Sequence, residues 1–288
     1  MTRAEKVNSM HVSRRTRRLV GDSIAMLLLL CLALFFIFPI FYAFITSLKT
    51  RVLAESPIPY LIFRPTLENY RTLFVDGKYT RYFMNSLVIG LVTVVLSLLA
   101  GVPAAYVISR CSFRGKGAVL LWVLSSRILP PIGIAIPFFL AYRRLGLIDT
   151  HLGLVIIFLT FNISLTIWVM SGFFDQIPRE LDEAAIIDGC SMTGVLVRVV
   201  LPLTAPGLTT TAILVFLEAW NNFFFPLVVT RRNAATVPLA LTTFLGDYNI
   251  DWGAIMAGAS LLILPLLIFA VVIRRYLVAG LTQGAVKG

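Results

Sequence analysis

"ELDEAAIIDGCSMTGVLVRVVLP", Glu180 to Pro202, is a polar, acidic island between two strongly apolar stretches of a 288-residue chain. Its own pattern is helical. Pro178 suits a first helical turn, where its missing N–H costs nothing. Glu180, Asp182 and Glu183 follow, placing acids where the positive end of a helix dipole favours them. Ala184 and Ala185 continue the helix, and Asp188-Gly189 ends it, the glycine fitting a C-terminal position with positive φ. A second short helix over residues 192–200 then runs into Leu201-Pro202, which stops it. The spacing predicts a helix–turn–helix. Leu181, Ala184, Ala185, Leu196 and Val199 form an apolar face against the rest of the molecule, and the acids point outward.

The chain around the island is mostly oil. Hydrophobic residues make up 58% and charged residues only 14%, against about 25% charged in a soluble domain. A helical crossing of a bilayer core needs roughly 20 apolar residues. Residues 23–48, 82–109, 150–174 and 252–273 carry no charge; residues 117–142 are interrupted only by Arg127, and 199–230 only by Glu218. Helices are expected because lipid offers backbone groups no outside partner. The alternating ten-residue segments of a β-barrel are absent. The first apolar run follows Arg14, Arg15, Arg17 and Arg18, as in a signal peptide, but it is too long and lacks a small-residue cleavage site.

The expectation is therefore an all-α polytopic protein with six transmembrane helices and the helix–turn–helix between helices 4 and 5. Residues 1–22 form a basic cytoplasmic N-terminus, 23–276 the membrane domain with its island at 175–202, and 277–288 a cytoplasmic tail. With the N-terminus inside, fourteen Lys and Arg lie on the inner side and ten on the outer, a bias that favours both termini in the cytoplasm. The net charge of +11 belongs to these flanking loops and calls for no nucleic-acid partner. The long outer loop, residues 49–81, reads as irregular with a short helix near 67–74.

Polar residues within the spans are the candidates for a pathway. Gly101, Ala105 and Ser109 recur every four residues, which lets membrane helices approach closely. Pro130, Pro131 and Pro137 must kink or break helix 3, and broken helices at membrane depth are buried in protein or line a cavity. Helix 4 sets Thr160, Ser164 and Ser171 on one face, with Asn162 nearby. In helix 5, Gly207, Thr211, Glu218, Asn221 and Asn222 share one direction at 100° per residue, with Trp220 beside them. Charge at bilayer depth is costly unless paired or wet. Arg127 and Glu218 therefore either line a hydrated pathway or pair with each other. The substrate-pathway candidates are Glu218, Trp220, Asn221, Asn222, Asn162 and Arg127.

Cys31, Cys111 and Cys190 form no CxxC pair, and His11 and His151 are remote from each other, so no metal or disulfide framework is expected. Nor is there a GxxxxGK[ST] phosphate loop: Gly115-Lys116-Gly117 lacks both the leading Gly and the trailing hydroxyl.

The island also resembles a known signature. Permease subunits of bacterial ABC importers carry Glu-Ala-Ala, three residues, Gly, nine residues, Ile, any residue, Leu-Pro. Here Glu183-Ala184-Ala185 is followed at the same spacing by Gly189, Val199 and Leu201-Pro202, with Val in place of Ile. "WNNFFFPLVVT" from Trp220 is similar to helix 5 of the sugar-type permeases, and "GLTQGAVKG", ending at Gly288, to the tail of the six-helix maltose-type subunit. The resemblance implies a carbohydrate importer in which this chain is not an enzyme. The implied ATPase-coupling set is Glu180, Asp182, Glu183, Ala184, Ala185, Asp188, Gly189, Leu201 and Pro202. The implied partners are an ATP-binding subunit dimer that holds ATP and Mg, a second permease subunit in a heterodimer, and an extracytoplasmic solute-binding protein. The tail from Thr282 would reach the ATPase interface. A gradient-driven transporter, with Glu218 as coupling carboxylate, is the alternative; it leaves the island unexplained.

Overall fold

The structure is a computed structural model that describes residues 3–75, 77–246 and 250–284, with side-chain surroundings over 21–75, 77–246, 250–269 and 271. Helix α1, Arg3–Ser47, runs 45 residues without interruption, so the basic N-terminus and the first span are one helix. Two short helices, α2 at Arg51–Glu55 and α3 at Glu68–Val75, order the outer loop. The second matches the helix expected near residues 67–74; the first was not legible.

Helix α4, Tyr79–Arg110, is the longest of the packed spans at 32 residues. Its buried line follows every fourth residue: Ile89, Thr93, Ser97, Gly101, Ala105 and Ser109. Small side chains there let α7, His151–Phe174, lie close. A Cβ built on Gly101 would stand 2.6 Å from Thr166 Cγ2, so the close approach read from Gly101, Ala105 and Ser109 is real. Between them, helix 3 breaks as the prolines require. It becomes α5, Lys116–Ile128, and α6, Pro131–Leu145, bent by 91°. Pro130 is extended and Pro131 opens α6, while Pro137 is accommodated inside it.

The island folds as α8, Glu180–Ile187, then Gly189 at φ +87°, then α9, Met192–Leu203. Pro202 does not stop the second helix as expected. Leu201 N–H donates to Leu196 O, five residues back, and this widened turn carries the chain past the proline. The break comes at Thr204, where α9 meets α10, Ala205–Trp220, at 85°. Helix 5 is thus shorter than residues 199–230 suggested. It ends at Trp220, and α11, Phe224–Val229, follows after a turn at Asn221–Phe223. Helix α12, Val237–Ala240, continues as a 3-10 turn to Phe244, and α13, Trp252–Gly284, closes the bundle against α1.

Among the described residues, four helices are long and apolar enough to cross a membrane: Gly21–Ser47, Tyr79–Arg110, His151–Phe174 and Trp252–Phe269. The two bent pairs complete the expected six when each counts as one crossing. The core is layered along the bundle. An outer cluster joins Leu73, Tyr79, Val237 and Ala257. A central one joins Ile89, Tyr142, Phe158 and Phe225, and an inner one joins Tyr106, Met170, Phe174, Ala185 and Val200. Of the expected C-terminal tail, residues 285–288 lie outside the described residues; up to Gly284 it continues α13.

Candidate functional site

The 91° break in helix 3 borders a cleft of about 130 Å³ between α5, α6, α7 and α10. Arg127, Leu129, Phe158, Asn162, Glu218 and Asn222 line it, with Phe161 and Phe225 stacked at 5.2 Å between centroids. Arg127 sits on the last turn of α5, so the break leaves its side chain free to reach across. Its Nη2 lies 3.1 Å from Glu218 Oε2, and its Nη1 donates to Phe161 O at 3.3 Å. The side chains are 31% and 33% exposed. Of the two readings of these charges, the structure shows the pairing, at a place where both side chains are partly exposed to the cleft. Pairing offsets the cost of charge at bilayer depth and leaves the cleft without net charge from these two groups.

Asn162 is 1% exposed. Its Nδ2 donates to Phe158 O at 2.9 Å, and its Oδ1 has no partner although the residue lines the cleft. A buried acceptor without a donor costs about 1–3 kcal/mol. Asn222 also lines the cleft, and its Oδ1 accepts from Phe225 N–H, starting α11.

The remaining pathway candidates fall elsewhere. Trp220 is fully buried, donates to Leu262 O at 3.1 Å and stacks on Phe216, so it ties α10 to α13 and does not line the cleft. Asn221 caps α10 at an exposed position away from the cleft lining. The polar direction read along helix 5 splits for the same reason. Gly207 and Thr211 are buried, Gly207 against the Phe173 ring, and the helix ends before Asn221 and Asn222 can continue the line. What sequence reading missed is the aromatic wall. Phe158 and Phe161 share a face with Asn162 at spacings of four and one, a legible signal, but Phe225 arrives only through the turn after α10.

At the end of the bundle that holds the island, Glu180, Glu183, Ala184, Asp188 and Gly189 are exposed. Asp182 does not point outward with the other acids. It is 11% exposed, accepts from Tyr106 Oη at 3.0 Å, and lies 2.9 Å from Arg110 Nε. The reason is helical phase: Asp182 and Ala185 lie on the side of α8 that meets α4. Ala185, Leu196 and Val199 pack inward as expected, whereas Leu181 is 42% exposed and Ala184 is exposed as well. Pro202 is exposed and Leu201 half-buried.

At the end of the bundle opposite the island, Asp149 organises the segment after α11. Its carboxylate accepts the N–H groups of Arg231, Arg232, Asn233 and Ala234. Burial pushes its pKa up, but these four backbone donors outweigh it and hold the group below the ordinary carboxylate value.

Comparison with known proteins places this geometry. The family described as binding-protein-dependent transport system inner membrane component matches residues 94–283. The probable ABC transporter permease protein y4oR of Sinorhizobium fredii is 38% identical over 279 residues, 97% of this chain and 99% of that one. The trehalose transport system permease protein SugB of Mycobacterium tuberculosis is 38% identical over 255 residues, 87% of this chain and 92% of its own. Among solved structures, a bacterial ABC transporter involved in the import of the acidic polysaccharide alginate superposes with a TM-score of 0.75 at 27% identity, covering 91% of this chain and 98% of that one.

Proposed function

The chain belongs to the inner membrane component family of binding-protein-dependent transport systems, and from that premise we propose that it is one permease subunit of an ABC importer for a neutral sugar or sugar-like polyol. The observation that carries the reading is the exposed surface of the island. Glu180, Glu183, Asp188 and Gly189 face away from a segment whose other side, Ala185, Val195, Leu196 and Val200, is packed into the bundle. That surface fits a cleft on a cytoplasmic ATP-binding subunit, which supplies ATP and Mg. Both termini then lie in the cytoplasm. ATP closes the ATPase dimer, the island moves as a rigid body, and the bundle exchanges inward and outward access. A second permease subunit completes the pathway, and a solute-binding protein delivers the substrate to the outer loops.

The cleft supports the choice of solute. Half-buried Phe161, backed by Phe225, gives the cleft an aromatic wall, and Arg127 and Glu218, each about a third exposed, offer polar groups to hydroxyls while neutralising each other. The gradient-driven alternative leaves the exposed acidic face of the island without a role.

Affinity purification from the native membrane in mild detergent tests the assembly. The expected companions are an ATP-binding subunit, a second permease and a solute-binding protein. Glu183→Lys is expected to release the ATP-binding subunit and leave the permease pair intact. ATPase binding and uptake that survive this substitution would defeat the docking reading.

A further inference from the structure

The island is covalently joined to the membrane helices through bends. The turn at residues 175–179 leads to α7, and the 85° bend at Thr204 leads to α10. The attachment to α4 is of another kind. Tyr106, Ser109 and Arg110 occupy one face of its last turn, and all three reach the island. Tyr106 Oη donates to Asp182, Arg110 Nη2 donates to Asp182 Oδ1 at 3.4 Å, and Arg110 Nε lies 2.9 Å from Asp182 Oδ2. Ser109 Oγ donates to Asp175, and Arg179 Nη2 donates to Ser109 O at 3.3 Å. The Arg110 and Asp182 side chains are 7% and 11% exposed, so water screens this pair little.

The opposite end of α4 is clamped as well. Asn85 Nδ2 donates to Asn233 O at 2.8 Å and to Ala235 O at 2.9 Å. Ser86 Oγ accepts from Val237 N–H at 2.9 Å, and Arg81 Nη2 donates to Asn233 Oδ1 at 2.8 Å. These contacts hold the same outer segment that Asp149 gathers from the other side. Asn85 and Arg110 are 25 positions apart on one unbroken helix, about 38 Å at 1.5 Å per residue.

We propose that α4 is a connecting rod that ties the position of the cytoplasmic island to that of the outer segment 231–237, with Asp182 and Asn85 as its two positioning residues. A displacement imposed on the island passes through the buried Arg110–Asp182 pair to α4, and from Asn85 and Ser86 to the outer segment. The outer surface thereby carries the state of the inner one. The proposal rests on the reading that the island meets an ATP-binding subunit.

The test uses the assembled transporter in lipid nanodiscs, with native cysteines replaced and spin labels at Arg232→Cys and Leu145→Cys. Both positions are exposed at the outer side. A non-hydrolysable ATP analogue with Mg closes the ATPase, and the distance between labels is read before and after. The unmodified chain is expected to show a nucleotide-dependent shift. Asp182→Asn and Asn85→Ala are each expected to reduce the shifted fraction about five-fold or more, with the ATP-binding subunit still bound, and Asp182→Glu is expected to restore it. Should Asp182→Asn fail to assemble, Asn85→Ala decides from the far end. A full shift in the variants, or none in the unmodified transporter, overturns the rod. An unmodified chain that holds no ATP-binding subunit overturns the docking reading, and the rod with it.

Discussion

Arg127 and Glu218 form an ion pair at the edge of the cleft, and the proposed pathway runs beside it. Each is about a third exposed, so solvent moderates the pair, and its worth falls below the ~3–5 kcal/mol lost when one partner of a fully buried pair is removed. Glu218→Gln leaves a lone cation in the cleft. We expect it to cost about 1–2 kcal/mol of stability and to lower uptake. The double variant Arg127→Gln/Glu218→Gln should recover most of the stability in a double-mutant cycle on detergent-solubilised protein. Strict additivity of the two single effects would show that the pair contributes nothing. Asn162→Leu removes the unpartnered acceptor. It should preserve assembly and reduce uptake of a hydroxylated solute; unchanged uptake would remove Asn162 from the pathway.

At the scale of elements, close contacts and turns make different demands. A Cβ on Gly207 would run into the Phe173 ring where α10 meets α7, whereas one on Gly172 meets nothing within 4 Å. Gly207→Ala should lower stability by about 1–3 kcal/mol through overpacking, and Gly172→Ala should be neutral or better in the same thermal melt. Gly189 turns α8 into α9 at φ +87°, where a Cβ is strained by about 1–2 kcal/mol. The outer segment is pH-sensitive through Asp149. Its depressed pKa means that the stabilisation is present above the ordinary carboxylate value and is lost as pH falls through the folded-state value. Asp149→Asn should therefore melt below the unmodified chain near neutrality, and the gap should close in acid. A constant gap across that range would assign the segment's order to other contacts.

For the whole molecule, the six-crossing arrangement with both ends inside is open to a direct check. Arg114 lies in an exposed inner turn and Arg144 at the exposed outer end of α6. In a cysteine-free background, Arg144→Cys should react with an impermeant maleimide in intact cells. Arg114→Cys should react only in inverted vesicles. The reverse pattern would invert the topology and place the island outside the cell. Helix α1 adds a second whole-molecule feature. Its apolar residues from Ile24 to Phe41 are largely exposed, apart from the line of contact with α13. This face suits lipid or a neighbouring subunit, as a half-pathway would need.

Much of this protein could be read without coordinates. Hydropathy located the spans, because a bilayer imposes a length and a polarity that one-dimensional counting detects. Pro130 and Pro131 announced the break in helix 3, Gly189 announced the positive-φ turn, and the spacing from Glu183 to Pro202 announced the island and its family. These are local demands of the backbone, met by residues near one another in the chain. The tertiary structure alone decided which polar groups meet. Asp182 looked like its neighbours Glu180 and Glu183 until Arg110, 72 positions earlier, claimed it. Trp220 stood among the pathway candidates, but packing buried it against Leu262 and Phe216, while Phe225 took a place in the cleft wall. Side-chain direction there depends on bends of 85° and 91°. No local pattern encodes the angle at which a broken helix resumes, because packing against distant helices sets it.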